Sequence, residues 1–159
     1  MNIDIMSSNK KETKKVILHL LNSLGSNIEG KKKLMKLMFL LGHYDLSSGK
    51  LSSKGILGND FYIYSYGVFS MKVMRSVNEL IEEGKIKESF PLIIEDKSEL
   101  DLDESLKKRV DMIVEKFGKH SGYKLEVETL EMLGVKPHEK RQYFGQDIGE
   151  VLKKTKTSN

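Results

Sequence analysis

"YSYGVFSMKVMRSVNELIEEGKI" occupies Tyr64–Ile86, and its reading decides the fold. From Ser70 onward Met74, Val77, Leu80 and Ile81, with Val73 beside them, recur at the spacing of one helical face. Ser70 has the side chain of a good N-cap, and Gly84 suits the turn that ends a helix. A helix over Ser70–Glu83 is predicted. Ahead of it, "FYIYSY" (Phe61–Tyr66) joins aromatics to the β-branched Ile63, the composition of a short strand or extended segment. Gly67 then permits a sharp turn into the helix. Behind it, "IKESFPLIIE" (Ile86–Glu95) has strand composition, and Pro91 restricts it to an edge strand or a hairpin tip.

Further helices flank this unit. Val16, Ile17, Leu20, Leu21 and Leu24 predict a helix over Lys11–Leu24, after a frayed start over residues 1–9. "GKKKLMKLMFLLGHYD" (Gly30–Asp45) carries a second helix. Its apolar set Leu34, Leu37, Met38 and Leu41 is widened by Met35, Phe39 and Leu40, the pattern of a central helix. Lys31, Lys32, Lys33 and Lys36 crowd its start against the helix dipole, so packing rather than propensity must hold it. Leu46–Asn59 reads as a Ser- and Gly-rich loop. After an acidic linker, Asp96–Asp103, Leu106, Val110, Ile113, Val114 and Phe117 mark a fourth helix closed by Gly118. A fifth covers Tyr123–Leu133, with Leu125, Leu130 and Leu133 inward. Beyond Pro137, Tyr143, Ile148, Val151 and Leu152 mark a weak last helix, and Lys153–Asn159 is expected to be disordered. The expectation is a mainly α chain with a small β-hairpin: a winged-helix-like core over residues 10–135, its wing at Ile86–Glu95, and a C-terminal helix and tail over 136–159.

Composition narrows the function classes. With 159 residues, the chain can bury roughly 70% of its unfolded surface. It is 38% hydrophobic and 31% charged, a soluble globular balance, and lacks cysteine, which excludes disulfides and thiolate metal sites. No apolar run approaches the roughly 18 residues of a membrane span, and the first ten residues lack the apolar core of a signal peptide, so a cytoplasmic location is expected. Charge is uneven: eight lysines face two glutamates over Lys10–Lys36, whereas fifteen acids outnumber nine bases over Glu79–Glu131. Such asymmetry can steer nucleic acid or an oppositely charged protein.

Three stretches carry a resemblance to a known family. "KKKLMKLMFLLGHYD" resembles a Lys-Leu-x-Lys-Leu-x-aromatic helix at Lys33, Leu34, Lys36, Leu37 and Phe39. "YSYGVFS" is similar to a Tyr-Gly-Pro-aromatic-Ser motif at Tyr66, Gly67, Phe69 and Ser70, with Val68 where the family has Pro. "IVEKFGKHSGYKLEVETLE" resembles its late helical pattern at Leu125 and Thr129, with Leu130 in the place of a His. The family is that of the SocA-like, phage-associated proteins, which carry the Panacea antitoxin domain. The resemblance implies a winged-helix-like interaction module that neutralises a toxin or acts as an adaptor, without a catalytic site.

The residues themselves leave several docking surfaces open. Alternation places Phe61, Ile63 and Ser65 on one side and Tyr62, Tyr64 and Tyr66 on the other. The tyrosine row either covers the helix bundle, the favoured reading, or forms a partner-binding surface, which would join Tyr62, Tyr64 and Tyr66 to Lys72 and Arg75 on the outer side of the following helix. That outer side also includes Ser76, Asn78, Glu79, Glu82 and Glu83. The alternative is a DNA-binding regulator. It would use Lys31, Lys32, Lys33 and Lys36 with Lys72 and Arg75, and Lys10, Lys11, Lys14 and Lys15 would extend the basic face. A homodimer without a ligand is a third option. Catalysis, cofactor and metal are not expected. His19, His43, His120 and His138 lack zinc spacing, no phosphate-binding Gly loop or nucleophile elbow occurs, and Asp101, Asp103 and Glu104 read as helix-start acids.

Overall fold

The computed structural model describes residues 3–25, 28, 30–89, 92–95 and 101–157, with side chains from residue 12 to residue 155 within those ranges. The elements run α1 (Ile3–Leu24), α2 (Lys31–His43), β1 (Tyr44–Asp45), β2 (Lys50–Leu51), β3 (Tyr62–Tyr64), β4 (Gly67–Phe69), α3 (Met71–Glu82), β5 (Ile86–Lys87), β6 (Ile93–Ile94), α4 (Glu104–Phe117), α5 (Gly122–Met132), a 3₁₀ helix over Pro137–Tyr143 and α6 (Ile148–Thr157). The protein is mainly α with small antiparallel strand pairs. The strands form three separate two-stranded sheets, β1–β2, β3–β4 and β5–β6.

Helix α2 is the centre. Every residue from Lys33 to His43 is buried, and the helix touches α3, α4, α5 and β4. Helix α1 lies across α3 and α4 and contributes Val16, Ile17, Leu20, Leu21 and Leu24 to the same core. At the end of α2, Leu40 O, Gly42 O and His43 O accept from the amides of Tyr44, Ile56 and Ser52. Arg109 of α4 serves two groups there, donating from Nε to Leu41 O at 2.7 Å and from Nη2 to Tyr44 O at 2.5 Å.

Helix α3 forms where the sequence predicts it, for local reasons. Ser70 Oγ accepts from the Val73 amide at 3.2 Å. At the other end Gly84, at φ +75°, allows the Lys85 amide to reach Leu80 O at 2.9 Å and its own amide to reach Ile81 O at 3.0 Å, a Schellman closure. Val73, Val77 and Leu80 are buried, Met74 and Ile81 partly so. Ser76 is also buried, against the prediction that it faces out, because its hydroxyl donates back to Lys72 O at 3.0 Å and so needs no solvent. The hairpin expected at Ile86–Glu95 is present as β5–β6, paired Ile86↔Ile94 and Lys87↔Ile93; Pro91 lies outside the described residues.

Four boundaries differ from expectation. Helix α1 starts at Ile3 rather than Lys11. The loop over Leu46–Asn59 hides a tiny hairpin with β1, whose connection is closed by Asp45 accepting from Ser47 and Ser48. The segment Phe61–Tyr66 is not one strand: the chain already reverses at Ser65–Tyr66, and Gly67 begins the second strand. Helix α6 continues through Lys153 to Thr157, since Asp147 Oδ1 caps it at the Glu150 amide and Ile148, Val151 and Leu152 anchor it in the core.

The C-terminal segment is built into the β3–β4 hairpin. Ile63 exchanges backbone hydrogen bonds with Gln146 O at 3.2 Å and the Gly145 amide at 2.8 Å, and the Ile148 amide reaches Phe61 O at 3.2 Å. The outer edge of β3 is thereby covered, which removes an open pairing edge.

Candidate functional site

The site grows out of the β3–β4 turn. The register is Tyr62↔Phe69, Ile63↔Val68 and Tyr64↔Gly67. Among the described residues no non-glycine has positive φ, so Ser65–Tyr66 is not a primed turn; the left-handed position falls on Gly67, at φ +90°. This is the arrangement of a type I turn followed by a bulge glycine. Phe61, Ile63 and Val68 face the core. The opposite face carries an aromatic group, with ring centroids 5.8 Å apart for Tyr62–Phe69, 6.3 Å for Tyr62–Tyr64 and 5.8 Å for Tyr64–Phe144.

The tyrosines therefore do not cover the helix bundle, and the favoured packing reading is corrected. Tyr62 is half-buried, Tyr64 is 54% exposed and Tyr66 is 69% exposed. The bundle's cover is already supplied by Phe61, Ile63 and Val68 on the inner face. Two grooves flank the turn and share Ser65. One, of about 500 Å³, is lined by Lys36, Tyr62, Tyr64, Tyr66, Phe69 and Met71 among others. The second, of about 460 Å³, lies against Pro137, His138, Lys140, Arg141 and Phe144.

The floor of the first groove is charged. Lys36, on α2, is 2% exposed, and its Nζ donates to Val68 O at 2.8 Å. Burial pushes its pKa down from the ordinary 10.5 to about 8; Glu126 opposes that fall, while Lys32 and Lys140 add to it. Glu126 sits beneath the hairpin on α5, joined to Lys32 Nζ at 2.7 Å and to Lys140 Nζ at 3.5 Å. Lys140 also donates to Ser65 O at 2.7 Å, tying the 3₁₀ helix to the turn. Lys32 Nζ stands 5.1 Å from the Tyr66 ring centroid and 5.9 Å from that of Tyr123. Gly67 permits this density: a Cβ there would lie 3.2 Å from Glu126 Cγ and 3.7 Å from Lys36 Nζ.

The six cations named for duplex DNA do not form one open face. Lys33 and Lys36 are buried, a correction to their reading as surface groups. Helix α2 is enclosed on nearly every side, so cations on its first turns end inside unless the chain bends away. Lys33 Nζ donates to Gly118 O at 2.6 Å, at the C-terminal end of α4, where the helix dipole favours a cation. Lys31 pairs with Glu88 at 2.7 Å, Lys32 with Glu126, and Lys72 with Asp60 at 2.9 Å. Arg75 is exposed and makes no ion pair among the described residues. Of the wider basic set, Lys14 meets Glu83 at 3.2 Å, and the side chains of Lys10 and Lys11 lie outside the described residues.

His43, His19, His120 and Asp103 have local partners. His43 stacks on Phe39 at 5.2 Å and donates from Nδ1 to Ser52 O at 2.8 Å, with burial holding its pKa below the ordinary value. His19 lies 3.2 Å from Asp111, His120 lies 2.6 Å from Glu128, and Asp103 caps α4. Among the described residues no group of three His or acidic side chains is placed to hold a metal ion, and no helix is long and apolar enough to cross a membrane.

Sequence reasoning missed Glu126, Lys140, Phe144, Met71 and Tyr123. For Glu126, Lys140, Phe144 and Tyr123 the neighbours in the site are far away along the chain, so no local pattern marks them, whereas Met71 lies next to the hairpin but off the apolar stripe of α3. Compared with models of known families, with curated proteins and with solved structures, the chain matches none.

Proposed function

We propose that the chain is a non-enzymatic protein-binding module whose contact surface is the β3–β4 hairpin with its two flanking grooves. One observation carries this reading: Tyr64, at the end of β3, and Tyr66, on the two-residue turn after it, stand 54% and 69% exposed, and the turn is braced from both sides. Lys140 holds the turn's backbone, and Lys32 lies under the Tyr66 ring. Rigid exposed tyrosines above apolar grooves are the usual anchors of protein interfaces, since they contribute large contact area at small entropic cost. The surface adds Phe144, Met71 and Tyr123, which the sequence did not point to. Lys72 and Arg75 flank it on α3 as rim charges. The resemblance to SocA-like antitoxin and adaptor domains agrees with this reading, and a toxin is one partner it implies. Duplex DNA has less support, because two of its six named cations are enclosed and three are paired with acids.

Site-specific photo-crosslinking tests the reading. A benzophenone side chain at Tyr66 should give a discrete protein adduct in cells, lost on adding Tyr64→Ala. The same probe at Met112, exposed on α4 outside both grooves, should give none. Equal adducts at both positions, or none at Tyr66, would count against it.

A further inference from the structure

Lys36 makes an unusual commitment of charge. An ammonium has three donors and, when buried, needs an anion or several acceptors. Here Val68 O is its one hydrogen-bond acceptor among the described residues, and no described carboxylate forms an ion pair with it. The nearby acid is already shared: both Glu126 oxygens are engaged, one by Lys32 and the other by Lys140. Three lysines thus meet around one carboxylate, an excess of two positive charges, and of these groups Lys36 is the one that lines the groove. The ammonium lies directly against the turn: a Cβ at Gly67 would stand in van der Waals contact with Nζ, at 3.7 Å.

Resting on the docking reading above, we propose that the groove beneath the tyrosine hairpin receives an acidic peptide segment of the partner, one carboxylate side chain pairing with the Lys36 ammonium. Charge complementarity selects the occupant. The walls, Tyr62, Tyr64, Tyr66, Phe69 and Met71, are largely apolar, and a volume of about 500 Å³ suits a carboxylate flanked by apolar side chains. A phosphodiester chain would require a row of unpaired cations, and the neighbouring lysines are already paired. A single desolvated ammonium between aromatic walls fits a monoanion carried on hydrocarbon. Binding would restore to Lys36 the charge stabilisation that burial removes, so its pKa, held near 8 in the free chain, rises in the complex.

The test uses the full chain and two blocked tripeptides, acetyl-Phe-Glu-Phe-amide and its Gln isostere, followed by NMR. The Glu peptide should bind about tenfold more tightly than the Gln peptide, the discrimination expected of one charge-assisted bond. It should shift the amides of Gly67, Val68 and Phe69 and move the Lys36 Cε titration upward. In Lys36→Met the two peptides should bind equally. Equal binding to the unsubstituted chain, shifts elsewhere, an unmoved Lys36 titration, or displacement of the Glu peptide by inorganic phosphate but not by acetate would each overturn the proposal. The peptide comparison on the unsubstituted chain stands whatever the variant does. Discrimination without a Tyr66 crosslink would leave the carboxylate site and remove the docking reading; a Tyr66 crosslink without discrimination would do the reverse.

Discussion

Replacing Lys36 by methionine should make the folded chain more stable at neutral pH. The folded pKa of Lys36 is about 8 against an ordinary 10.5, and at about 1.4 kcal/mol per pH unit the buried charge costs about 3 kcal/mol at pH 7. Methionine has nearly the same length and no charge. It leaves Val68 O without its 2.8 Å donor, a loss of about 1–2 kcal/mol. The net expectation is a gain of about 1–2 kcal/mol. Between pH 8 and pH 10.5 the unfolded chain holds a proton that the folded chain has released, so the native protein gains stability as pH rises through that window. The variant lacks this contribution, which grows by about 2 kcal/mol from pH 7.5 to pH 10, so its advantage should shrink and then reverse across that range. Urea denaturation at several pH values measures it, and taking the difference cancels the other lysines and tyrosines. A variant less stable than the parent at pH 7, or a difference that does not change with pH, would refute the reasoning.

Three other substitutions have worked expectations. Lys33→Met, three residues away on the same helix, should have the opposite sign and lower stability by about 1–3 kcal/mol in the same urea assay, because its ammonium serves a carbonyl at the C-terminal end of α4. Gly67→Ala should cost about 1–2 kcal/mol from its φ of +90° alone, and more from the 3.2 Å approach to Glu126 Cγ; thermal unfolding would read it as a lower Tm. Ser70→Ala should cost about 1 kcal/mol through loss of the α3 cap, and amide hydrogen exchange should quicken at Val73 before the rest of the helix.

Local physics was legible in the sequence and long-range physics was not. Helix α3 was readable from end to end, because its stripe, its capping Ser70 and its closing Gly84 lie within one short stretch. The centrality of α2 was readable from its apolar breadth. The same breadth implied that some of its lysines would be enclosed, yet lysine on a helix is ordinarily a surface residue, and Lys33 and Lys36 were read that way. The β3–β4 turn escaped because Ser65–Tyr66 carries none of the Asn-Gly or Asp-Gly chemistry that marks tight hairpins. The tyrosines were found by their alternation, but their exposure depends on Phe61, Ile63 and Val68 filling the inner face. The convergence of Glu126 and Lys140 on Gly67 is set by how α5 and the 3₁₀ helix pack, which no nearby spacing records.

The hydrogen bonds that tie Ile63 to Gly145 and Gln146 join positions some eighty residues apart, and they impose an order on synthesis. While a ribosome is still making α4 and α5, β3 has β4 on one side and nothing on the other. Lys140, which braces the turn, has not yet been added. The tyrosine surface reaches its final shape only after the segment past Gln146 has emerged and joined β3, so a partner that needs that shape meets the chain after that step and not before it.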